Sequence, residues 1–105
     1  MLHLMTVEYT ESEEAAAPFV AAHVEYLEHW HGKGVFLASG QTVPADRGGA
    51  IVACGVDRAT AERIAAEDPF TVAGVARYVI TTIDPGRVHP ALADLLGADA
   101  SRVRG

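Results

Sequence analysis

The sequence has one cysteine, Cys54, few basic residues and only short apolar stretches. A single cysteine excludes an internal disulfide and a multi-cysteine zinc site. Eight Lys and Arg against fourteen Asp and Glu leave a formal charge of -6. Nucleic acid and anionic membranes need a basic surface, so the charge argues against both as partners. No apolar run approaches the ~18 residues of a membrane-spanning helix. The opening MLHLMTVEYT lacks a basic leader and a cleavage pattern, which predicts that it is not a secretory signal. Internal repeats, low-complexity tracts and the G-x-G-x-x-G and Walker phosphate loops are also missing. What is there is a chain of 105 residues, half of them hydrophobic, enough for the core of one domain. The expectation is a small, acidic, cytoplasmic protein without a cofactor.

Alternation over residues 2–9, with Met5, Val7 and Tyr9 on one side and Leu2 and Leu4 on the other, predicts a first strand. The acidic start Glu11-Ser12-Glu13-Glu14 suits the positive end of a helix running from about 13 to 31. Ala16, Val20, Val24, Leu27 and His31 then recur on one helical face, and Gly32-Lys33-Gly34 supplies the stop. Two strands, 34–42 and 50–56, are separated by the turn-rich segment 43–49. Asp57 is placed to cap a second helix over about 58–68, with Ala61, Ile64, Ala65 and Asp68 on one side, and Pro69 ends it. Residues 75–83 form a β-branched last strand. In the tail, 86–105, Pro90 opens a short helix and Gly97 closes it, while Arg102–Arg104 belongs to a solvated terminus.

The order βαββαβ is the ferredoxin-like α+β arrangement, an antiparallel four-stranded sheet with two helices on one face. A sheet whose second face met water would alternate apolar and polar residues. Val35-Phe36-Leu37-Ala38 and Ala50-Ile51-Val52-Ala53-Cys54 are apolar on both sides instead. Two helices cannot cover both faces, so a homodimer packed sheet to sheet is expected, with the tail folding over the sheet as the alternative.

His23 falls about 60° from the centre of the Val20–Val24–Leu27 stripe, near Phe19, Tyr26 and Trp30. A histidine at a core margin beside aromatic rings suits proton transfer, and equally suits a hydrogen-bonded helix histidine with no catalytic role. Asp68 is an acidic residue on the buried stripe of the second helix. It needs a partner there, which can be a histidine or local backbone N–H groups.

Together the segments Ala22-His23, Leu37-Ala38-Ser39-Gly40, Gly48-Gly49-Ala50-Ile51, Glu67-Asp68-Pro69-Phe70 and Gly74-Val75-Ala76-Arg77-Tyr78 resemble the YCII-related proteins of the dimeric α+β barrel superfamily. The resemblance spans about residues 2–85. It implies a ferredoxin-like subunit that dimerises through its sheet and carries a His–Asp active site in a cleft, His23 and Asp68 here. Ser39 and Gly40 match the strand end that lines the cleft. The superfamily's isomerases, cofactor-free monooxygenases and elimination enzymes imply a lyase or isomerase acting on a hydroxylated aromatic or lactone-like compound. In that role Asp68 fixes the His23 tautomer, the other ring nitrogen serves as acid or base, Ser39 donates to a substrate oxygen, and Tyr26 and Phe70 contribute to the pocket. The alternative is a non-catalytic small-ligand-binding or sensor dimer.

Other residues carry less. His29 and His31, two apart on a helix, point about 200° away from each other and cannot share a metal, so none is expected. His3 and His89 carry no pattern, Cys54 reads as a small core residue, and Gly48-Gly49 as a turn. Arg77, alternating with core residues, is placed to reach a cleft or a dimer contact.

Overall fold

In the computed structural model the described residues are 1–45 and 48–96. The chain runs β1 (Leu2–Tyr9), α1 (Glu13–Ala16), a 3-10 turn (Ala17–Phe19), α2 (Val20–Gly32), β2 (Phe36–Gln41), β3 (Gly48–Cys54), α3 (Arg58–Glu67), α4 (Pro69–Val72), β4 (Ala76–Ile83) and α5 (Pro90–Leu96). The strands form one antiparallel sheet in the order β2-β3-β1-β4. This is the ferredoxin-like βαββαβ arrangement that the sequence predicts. The inner faces of the strands supply Met5, Val7, Ile51 and Ala53 to a core closed by Tyr26 from α2, Ile64 and Ala65 from α3, and Phe70 from α4. In register, Met5 lies between Ile51 and Ile80.

The first helix differs from its expected form. Pro18 has no N–H to continue an α-helical ladder, and the chain passes through a 3-10 turn before α2 starts at Val20. The break changes the phase of the apolar face. Val20 and Val24, expected to be central to the core, are exposed, whereas Tyr26 is buried and His23, Leu27 and Trp30 are partly so. The inward stripe is therefore 23-26-27-30, and His23 lies on it instead of flanking it. Ser12 caps α1 by accepting from Ala15 N at 3.1 Å. Asp57 caps α3 as expected, accepting from Thr60 N at 2.7 Å, and Thr60 holds the Asp57 carboxyl below its ordinary value. Ala61, Ile64, Ala65 and Asp68 are all buried along α3 and its end.

β2 carries an irregularity that strict alternation cannot foresee. Phe36 pairs with Ala53, but the register shifts before Ala38, which pairs with Val52. This bulge puts Ser39 opposite Ile51 and Gln41 opposite Gly49, on the same inner face as Phe36. β3 starts earlier than expected, so Gly48 and Gly49 belong to the strand. A Cβ on Gly48, whose φ is +113°, would strike the Val7 carbonyl, and one on Gly49 would sit 2.9 Å from the Gly40 oxygen. Only glycine lets β3 approach both neighbours here.

His3 also departs from expectation. It shares the inner face with Met5 and Val7 and is fully buried. Its Nε2 donates to the Val56 carbonyl at 2.8 Å, and its Nδ1 is hydrogen-bonded to the Thr82 hydroxyl at 2.9 Å. His3 is a core residue with both ring nitrogens hydrogen-bonded. Cys54 is buried as expected. His89 caps α5, its Nδ1 accepting from Ala91 N at 3.0 Å. Gly97, Arg102–Arg104 and the turn residues Asp46 and Arg47 lie outside the described residues.

The opposite sheet face is open. Leu4, Val79 and Ile83 point to it with 42, 46 and 38% of their surface exposed, and the described part of the tail leaves them so. Arg77 lies on this face too, paired with Glu8 at 3.0 Å. Among the described residues no helix is long and apolar enough to cross a membrane.

Candidate active site

The site begins at Asp68. The residue before a proline is pushed out of the helical region, and Asp68 has φ -58° and ψ 127°, which ends α3 and starts α4. Its side chain turns back to cap α4, Oδ1 accepting from Phe70 N at 2.9 Å. The same oxygen lies 2.8 Å from His23 Nδ1, and Oδ2 accepts from the Tyr78 hydroxyl at 2.6 Å. Both sequence readings of Asp68, local cap and histidine partner, hold at once. The Phe70 amide and the Tyr78 hydroxyl both donate to this fully buried group, so it serves the site as a hydrogen-bond acceptor. Facing that acceptor, Nδ1 of His23 is the nitrogen placed to donate, and an uncharged ring that donates there carries its lone pair on Nε2.

His23 is held by more than this bond. Its ring stacks on Phe70 with centroids 4.1 Å apart and planes 6° apart, and its side chain is 16% exposed. Nε2 makes no hydrogen bond to a described residue, and His23 lines a cavity of about 320 Å³. Val20 and Leu27 line it from α2, Val7, Tyr9 and Ile51 from the sheet, Phe70 from α4, and Ser39, Gly40 and Gln41 from β2. That volume suits a small ring compound, and the walls are mainly apolar with a few polar groups.

Tyr78 is the residue that sequence reasoning did not find. β4 alternates, so Ala76, Tyr78 and Ile80 lie opposite Tyr9, Val7 and Met5 on the inner face. That alternation was the available signal for a polar group facing the core. Burial pushes the Tyr78 phenol well above its ordinary value, with Tyr26 and Asp68 adding to the effect, and burial likewise raises Tyr26. Both phenols stay protonated, so Tyr78 remains a donor to Asp68. Tyr26 donates to the Ile64 carbonyl at 2.8 Å and is part of the core; it does not line the cavity.

Tyr78→Phe is expected to lower stability by about 1.5–3 kcal/mol, the range for a hydrogen bond to a charged group. In the parent protein the stability these two phenols contribute is present in full well below pH 10, their ordinary value. Above it the unfolded chain releases phenolic protons that the folded chain keeps, and stability falls. Urea titrations at pH 9 and pH 11 are expected to show that fall, smaller in Tyr78→Phe.

The remaining sequence-predicted residues divide. Ser39 and Gly40 reach the cavity with His23, and Phe70 lies both in its wall and against the imidazole. Phe19 and Trp30 pack on the core and do not line it. α2 is unbroken through His29, Trp30 and His31, so the two histidines diverge: His29 packs on Trp30, and His31 Nε2 meets Ser39 Oγ at 2.8 Å. Among the described residues no cluster of His, Cys, Asp and Glu is arranged to hold a metal.

A four-stranded antiparallel sheet with its helices on one face, and a cavity between helix and sheet, define a ferredoxin-like α+β protein with a built pocket. The chain belongs to the YCII-related family, whose domain model matches residues 1–84, as the segment resemblance implied. Among solved structures it is similar to the 5-chloro-2-hydroxyhydroquinone dehydrochlorinase of Burkholderia phenoliruptrix AC1100, solved in complex with 2,5-dihydroxybenzoquinone. That match has a TM-score of 0.67 at 22% identity and covers 82% of this chain and 96% of the other. At this identity the likeness establishes the fold. No curated protein matches the sequence.

Proposed function

We propose that this protein is a cofactor-independent small-molecule enzyme of lyase or isomerase type, with His23 as its general base. The observation that carries the reading is the 2.8 Å bond from His23 Nδ1 to buried Asp68, which leaves Nε2 free on a ligand-sized cavity. A proton leaves a substrate C–H or O–H for Nε2, and its electron pair moves into the substrate. The imidazolium is then paired through Nδ1–H with the Asp68 carboxylate. In an isomerisation the proton returns to a different substrate atom; in an elimination a leaving group departs with its bonding pair. Either course draws on imidazole and carboxylate alone. Ser39 is the donor to a substrate oxygen, and Phe70, Tyr9 and Leu27 exclude water from the ring.

A hydroxylated ring compound is the favoured substrate class, because the apolar walls carry isolated polar groups at Ser39 and His23. The similar fold that acts on a chlorinated hydroxyhydroquinone makes such rings the first compounds to try. The working unit is a homodimer joined through the open sheet face, supported by exposed Leu4, Val79 and Ile83.

The test is a turnover screen of hydroxylated aromatics and lactones, starting with 5-chloro-2-hydroxyhydroquinone and followed by absorbance and halide release. At least one compound is expected to turn over, and His23→Ala is expected to slow it about 10²–10⁴-fold. Tight binding of ring compounds with no turnover, unchanged in His23→Ala, would instead mark a ligand-binding or sensor module.

A further inference from the structure

Behind Ser39 stands a second histidine that the reaction above does not use. His31, in the last turn of α2, places Nε2 2.8 Å from Ser39 Oγ. Its ring meets buried Phe36 edge to face, with centroids 5.9 Å apart and planes at 85°. The bulge after Phe36 turns Ser39 to the inner face of β2, so one strand irregularity both aims Ser39 at the cavity and sets it against His31. His31 itself does not line the cavity.

A serine hydroxyl has a single proton and rotates to suit its partners. If a bare imidazole nitrogen takes that proton in a hydrogen bond, Ser39 offers a ligand only lone pairs. If the imidazole nitrogen carries a proton and donates to Oγ, the Ser39 proton is left to point into the cavity. We infer that His31 is a positioning residue for the proposed reaction: its Nε2–H holds Ser39 Oγ so that the hydroxyl donates to a carbonyl or phenol oxygen of the ligand. This rests on the reading of His23 as the base. As Nε2 of His23 takes a proton, the freed electron pair raises the negative charge on that ligand oxygen. A hydroxyl already fixed toward it stabilises the charge without reorganising. Ser39 keeps its proton throughout, and nothing is transferred on this side of the cavity. The ligand class narrows to rings bearing an oxygen conjugated with the site of proton loss.

The experiment is a double-mutant cycle on binding of 2,5-dihydroxybenzoquinone, titrated by visible absorbance. Ser39→Ala and His31→Ala are each expected to weaken binding about tenfold, the scale of one good hydrogen bond. The double variant is expected to bind no more weakly than Ser39→Ala, because both changes remove the same donor. His31→Gln, whose amide N–H can donate to Oγ, is expected to recover most of the loss. Should His31→Ala melt early, His31→Phe, which keeps a ring against Phe36 and lacks the N–H, takes its place. Additive losses, or an intact affinity in His31→Ala, overturn the inference and leave His23 untouched. Failure of the quinone to bind the parent protein, or an affinity indifferent to His23→Ala, overturns the underlying reading of the site and this inference with it.

Discussion

Asp68→Ala is expected to cost about 3–5 kcal/mol of stability, because three donors lose a buried acceptor and each such loss costs about 1–3 kcal/mol. The carboxylate is fully buried and takes hydrogen bonds from three separate elements: α2 through His23, α4 through the Phe70 amide and β4 through Tyr78. Its loss strands all three donors where water cannot reach them easily. It also removes the cap that starts α4, and with it the support for the ring stacked on His23. For a domain of this size the change corresponds to a Tm lower by on the order of 15 °C. Calorimetry on the parent and variant measures it. A shift of only one or two degrees would mean that Asp68 is not the junction described.

The second large effect concerns the open sheet face. Leu4→Glu is expected to convert a dimer of twice the chain mass into a monomer in sedimentation at micromolar concentration. Leu4 stands among Leu2, Val52, Val79 and Ile83 on the outer face, and a two-fold interface there would bury the new carboxylate from each copy. Burying unpaired charges costs far more than a leucine contributes. Val79→Glu is expected to act alike, whereas Thr60→Ala, on α3, leaves the dimer intact. A parent protein that sediments as a monomer would contradict the sheet-to-sheet assembly, as would a Leu4→Glu dimer.

Much of this architecture is legible in the residues. Asp57 capping α3, the buried stripe Ala61–Ile64–Ala65–Asp68 and the alternation of β1 follow from local periodicity and local chemistry. The phase of α2 does not, because extrapolating from Ala16 across Pro18 assumes a continuous helix that proline cannot sustain. The inward aim of Ser39 is hidden for a related reason. Alternation from Phe36 sends Ser39 to the other face, and only the pairing with β3 reveals the extra residue at Leu37. The His23–Asp68 partnership lies between these cases. Each residue is marked as unusual where it stands, yet their meeting across 45 residues depends on how α2 lies over α4. Tyr78 joins them from a strand whose polar and apolar positions look like ordinary alternation.

The proposed chemistry requires the His23 proton on Nδ1, held there by buried Asp68, with Nε2 open to a ligand. Long-range ¹H–¹⁵N correlation of the histidine rings, with and without 2,5-dihydroxybenzoquinone, measures it most directly. In the free protein at neutral pH the uncharged His23 ring is expected as the Nδ1–H tautomer, and the quinone is expected to move its Nε2 signal. In Asp68→Asn that tautomer preference is expected to collapse. A ring protonated on Nε2 in the parent protein, or an Nε2 signal that ignores the quinone, would contradict the account.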